Sequence, residues 1–92
     1  MMHEERKSLT RATQDMKRAL DSLEEELQAT DWYRQRADAC TDADLKRILI
    51  HNMKEEEEHA SMLISWIAAR DKTMAGNLTK FLKRRPADIG RD

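Results

Sequence analysis

The chain has 92 residues, the size of one small domain. Its formal net charge is −1, with 38% charged against 39% hydrophobic residues, which excludes a strongly basic nucleic-acid binder and an acidic disordered tail. No apolar run reaches the roughly 18 residues of a membrane span, the charged start Met1–Arg6 has no signal-peptide core, and the one cysteine, Cys40, cannot staple the fold and fits a reducing cytoplasm.

Ala, Leu, Glu, Lys, Arg, Gln and Met dominate, and these are strong helix formers. The breakers Gly76, Gly90 and Pro86 all lie in the last quarter. An all-α protein is expected. The first long helix should run from about residue 7 to 39, with Leu9, Met16, Leu20, Leu23 and Leu27 recurring in steps of three and four. Thr41 or Asp42 can cap the next helix, expected over about 43–70. Its seam reads Leu45, Leu49, Asn52, Glu56, His59, Leu63, Trp66, an apolar stripe interrupted in the middle by three polar residues. A short helix over about 73–85 carries Leu78, Phe81 and Leu82, complements its C-terminal end with Lys80, Lys83, Arg84 and Arg85, and stops at Pro86. The tail from Ala87 onward reads as frayed.

The whole chain, 1–92, is read as a single domain. A helix of roughly 30 residues is about 45 Å long, whereas a compact chain of this length has a radius of gyration near 12 Å. A two-helix hairpin leaves its flanks wet, and Trp32, Ile48, Ile64 and Ile67 make the apolar surface wider than one seam. The expected solution is a homodimer in which two antiparallel hairpins form one four-helix bundle. The plainer alternative is a monomer closed by the short helix.

Glu56-x-x-His59 places a carboxylate and an imidazole on one helix face, able to meet one metal ion. Ferritin-like di-iron bundles take one Glu from each of two helices and one Glu-x-x-His from each of the other two. This chain holds half of that set. The lone Glu is sought among Glu24, Glu25 and Glu26, of which Glu26 shares a face with Ala19, Leu23, Thr30 and Tyr33 and points most nearly inward. Oxygen and imidazole donors suit iron or manganese, without excluding zinc. A solvated acidic face is the plain alternative, but Glu56 and His59 occupy seam positions, and burying them without partners costs several kcal/mol. Tyr33, two turns beyond Glu26, either donates a hydrogen bond beside the site or simply packs. Trp32 and Trp66 read as core or interface anchors, the methionines as gap fillers, His51 as exposed and Cys40 as a bystander.

Glu25-Glu26-Leu27-Gln28-Ala29-Thr30-Asp31-Trp32-Tyr33, then His51-Asn52 through Glu55-Glu56 to Glu58-His59-Ala60 and Trp66, resemble the encapsulated ferritins over about residues 18–85. The resemblance implies short two-helix ferritin-like chains whose di-iron ferroxidase centre forms only between subunits. It implies a decamer built as a ring of five dimers, oxidation of Fe(II) by O₂, and residence inside an encapsulin shell in the cytoplasm. Carried over, Glu26, Glu56 and His59 are the iron ligands, Trp32 and Tyr33 flank the centre, and Glu25 belongs to a secondary metal site. Manganese, zinc or calcium could substitute for iron. Two departures stand out: Gln28 replaces a further Glu of the secondary site, and no Gly-Ser-Leu-type targeting peptide is visible before Asp92.

The function expected is a ferroxidase serving iron storage or detoxification. The alternatives are a rubrerythrin-like di-iron peroxidase and a non-catalytic helical interaction module whose acidic seam meets a basic partner. No nucleic-acid or membrane partner is expected, because the basic cluster Lys80–Arg85 is short and lacks interleaved stacking aromatics.

Overall fold

The computed structural model describes residues 1–91, with α1 over Arg11–Ala39, α2 over Ala43–Arg70 and α3 over Lys72–Leu82. No strand occurs among the described residues. The first helix starts four residues later than its periodicity suggests. Thr10 stays extended and its hydroxyl accepts the Thr13 N–H at 3.2 Å, satisfying one of the orphan donors of the first turn. Upstream, Arg6–Ser8 form a single 3-10 turn. The Gln14 amide donates to the carbonyls of Arg6 and Leu9, both at 3.1 Å, and ties this turn to α1.

Three residues, Cys40 to Asp42, join α1 to α2, and so short a link makes the two helices antiparallel neighbours. Asp42, one of the two caps expected, accepts the Leu45 N–H at 2.8 Å. Asp71 serves both sides of the next joint. Its N–H donates to the Ile67 carbonyl at 2.9 Å to close α2, while its carboxylate accepts the Met74 N–H at 3.0 Å to open α3.

The third helix ends three residues sooner than expected, at Leu82. Pro86 drives Arg85 out of the helical region, to φ −71° and ψ 141°, so the helix must finish before it. The segment read as a frayed tail holds a second 3-10 turn, Pro86–Asp88, fastened by Arg85 Nε to the Asp88 carboxylate at 3.0 Å and Arg84 to the Asp88 carbonyl at 2.6 Å.

The hairpin seam is thin. Among the described residues only Ala19, Ala37, Ala60 and Ile67 are buried hydrophobes, and no large side chain is fully buried. Small side chains let the two helices approach closely but bury little area. The accessible surface is 7619 Å², against about 5,500 Å² for a compact chain of this mass. The radius of gyration is 17.0 Å, against about 12 Å. Much of the excess is apolar: on α2, Ile48 is 55% and Met62 59% exposed, and on α1 Leu20 and Leu27 are exposed as well.

Candidate metal centre

Halfway along the hairpin, α1 presents Glu26 and α2 presents Glu56 and His59. The spacing of Glu56 and His59 stacks them on one face, almost one turn apart. His59 Nδ1 lies 3.4 Å from Glu26 Oε2 and 3.5 Å from Glu56 Oε2. One ligand atom from each of the three residues lies within 4.8 Å of the others, and among the described residues this is the one group of three or more His, Cys, Asp or Glu that close. The sequence pattern placed all three together. It placed them too deep. In the single chain they are half-buried rather than core residues: Glu26 and His59 line an open groove with Ala19, Ser22, Leu63 and Trp66 instead of filling the α1–α2 seam, and Glu56 lies beside His59.

The electrostatics of the trio are unbalanced. Glu26 Oε2 is shielded from water and no donor reaches it in hydrogen-bonding geometry. The neighbouring Glu56 carboxylate, which favours a protonated Glu26, holds the Glu26 carboxyl above the ordinary carboxylate range, with burial and the repulsion of the Glu56 charge adding to it. For His59, burial disfavours the charged ring, but the carboxylates of Glu56 and Glu26 outweigh it and raise its pKa. Two carboxylates and one imidazole thus crowd around a point with one cation too few. A divalent ion is the group such donors fit: oxygen ligands, one borderline nitrogen and a net negative charge.

Other residues expected near the centre sit less close. Glu25 and Gln28 are exposed on α1. Trp32 is half in water, and Tyr33 packs under the Arg36 guanidinium, 5.5 Å from its ring centroid. Among the described residues neither makes a hydrogen bond to Glu26, Glu56 or His59, and neither lines the groove. Trp66 does line it, with the Arg70 guanidinium stacked 4.0 Å above its ring. Glu55, read as a flank residue, faces His59 from the side opposite the other two carboxylates. The signal was present: Glu55 precedes His59 by four residues, one helical turn.

The EncFtn-like family model matches residues 1–85. The chain belongs to this family. It is 45% identical over 80 residues, 87% of its length, to an encapsulated ferritin-like protein of Rhodospirillum rubrum. It is 46% identical over 65 residues, 71% of its length, to a ferritin-like protein of Thermotoga maritima. In both cases the aligned part is 57% of the relative, so the EncFtn-like chain spans a little over half the length of these curated relatives. A crystal structure of a Nitrosomonas europaea protein superposes with a TM-score of 0.88 at 43% identity, covering 96% of this chain and 97% of that one.

Proposed function

We propose that this EncFtn-like chain is a ferroxidase whose centre is completed by two copies. The observation that carries the reading is the trio itself, above all the shielded Glu26 oxygen that has no donor. A single chain offers two carboxylates and one imidazole. Two copies offer four and two, the complement of a ferritin-like di-iron site.

The pattern of α2 supports a two-fold contact through that site. Laid antiparallel on its own copy about a point between Glu55 and Glu56, the helix would set Leu45 against Trp66, Ile48 against Leu63, Leu49 against Met62, and Asn52 against His59. Each of these apolar residues meets an apolar one, and Asn52 and His59 meet near the centre. In a two-fold interface such reciprocity is obligatory. Leu45, Ile48 and Met62 are all exposed in the single chain, where they have nothing to pack against. Leu20 and Leu27, on α1, stay uncovered by that contact and offer a second surface for building a larger ring such as a decamer.

Fe(II) is the substrate. Glu26 and Glu56 supply hard oxygen donors, and His59 supplies a neutral nitrogen. Carboxylate charge favours the more highly charged Fe(III) product, which lowers the cost of passing electrons to O₂. Glu25 stands exposed on α1 where an incoming cation would first meet negative charge, and Gln28 beside it makes that secondary site weaker than a pair of carboxylates would. Trp32 and Tyr33 are proposed to come against the centre only across the dimer. The R. rubrum relative is an encapsulated ferritin-like protein, which extends the proposal to work inside an encapsulin shell.

Aerobic mixing with Fe(II) should give a fast rise in near-ultraviolet absorbance. Glu56→Ala and His59→Ala should each slow it by more than about 100-fold. Unchanged kinetics in both variants would refute the assignment. A rate that is faster with H₂O₂ than with O₂ would move the chain to peroxidase chemistry.

A further inference from the structure

The two nitrogens of His59 face different carboxylates. Nδ1 looks toward Glu26 at 3.4 Å and Glu56 at 3.5 Å. Nε2 looks the other way, toward Glu55 Oε2 at 4.0 Å. The second oxygen of Glu55, Oε1, is in turn 3.4 Å from Nε2 of His51. His51, Glu55 and His59 follow one another at intervals of four, so they form a ladder along one edge of α2 that ends at the trio.

A neutral imidazole carries one proton, and only the bare nitrogen can hold a cation. Metal-binding histidines commonly donate the other N–H to a carboxylate, which fixes both the ring's orientation and its tautomer. Resting on the metal-centre reading above, we infer that Glu55 is a positioning residue: once a cation takes the place of a proton between Nδ1, Glu26 and Glu56, Glu55 accepts the remaining Nε2–H of His59 and holds the ring in that orientation, while His51 braces Glu55 from behind. The 4.0 Å separation closes to hydrogen-bond length by rotation of one exposed, flexible side chain. Glu55 touches the site only through the far side of the ring, a role distinct from that of the two carboxylates beside Nδ1.

The test reads Zn(II) binding. Long-range ¹H–¹⁵N NMR of the Zn(II)-loaded parent chain should find the remaining His59 proton on Nε2. By calorimetric titration the Zn(II) affinity of Glu55→Ala should fall about 10- to 100-fold, with most of it recovered in Glu55→Gln, whose amide oxygen still accepts a hydrogen bond. His51→Ala should lose less, under about tenfold. Glu55 is exposed, so its truncation leaves the hairpin packing intact. A loaded His59 protonated on Nδ1, or a Glu55→Ala chain that keeps the parent affinity, overturns the inference alone. Failure of the metal-centre reading looks different: the parent chain itself binds no Zn(II), and both readings fall together.

Discussion

The α1–α2 seam and the groove beside it are made by the same two helices, yet they are built on opposite principles. The seam uses Ala19, Ala37 and Ala60, with Ile67 as its one large buried residue. The groove uses Leu63, Met62 and Trp66, which have more area to bury and are only partly covered in the single chain. A hairpin that saves its large side chains for an outer face is arranged for association. The site follows the same division. Glu26 and His59 stand at the border of the groove, and Glu56 is half-buried beside His59.

That contrast can be broken from either side. The largest effect should come from the groove. Ile48→Glu sets a charge against the facing Leu63 in the proposed two-fold contact, where it must be buried unpaired, and sedimentation should then find monomers, with fast iron oxidation lost although all three site residues remain. A variant that stays fully assembled would separate the exposed strip of α2 from the interface. On the seam, Ile67→Ala removes the one large buried side chain and should cost about 2–4 kcal/mol in denaturant unfolding. Assembly should persist in conditions where the variant is folded.

Smaller effects sharpen the picture of the border. Both Glu26 and His59 hold protons more tightly than usual, Glu26 through Glu56 and His59 through the two carboxylates. A cation must displace those protons, so its affinity should rise with pH while they are still bound. Zn(II) titrations from about pH 6 to about pH 8 should show up to about tenfold per pH unit for each proton released. A flat profile would mean the trio is already deprotonated when the cation arrives. Smallest of all, Asp42→Ala removes the α2 cap far from both surfaces and should cost about 1 kcal/mol without changing metal affinity.

Much of this was legible in the residues. The three-and-four spacing of Leu and Ala gave two long helices, and the absence of glycine and proline before residue 76 kept them unbroken. Glu56-x-x-His59 needed only the helical repeat to share a face, and Glu26 was separable from Glu24 and Glu25 by its place beside Ala19 and Thr30. Helix ends were harder. The α1 start depended on whether Thr10 would turn its hydroxyl back to the Thr13 N–H, and the end of α3 depended on how far Pro86 reaches upstream. Both are competitions of about 1 kcal/mol between local hydrogen bonds, which periodicity does not weigh.

By itself, then, the order of residues determined that the chain is helical, where its turn falls and which side chains share a face, because those follow from a fixed repeat of 3.6 residues per turn. Depth and direction were decided only by the packed hairpin. Alanines along the seam bring the helices together and leave Glu26 and His59 at a groove rather than in a core. The same packing buries one oxygen of Glu26 without a donor and turns the two nitrogens of His59 toward different carboxylates. Those are properties of two helices held at a particular distance and rotation, and no single helix carries them.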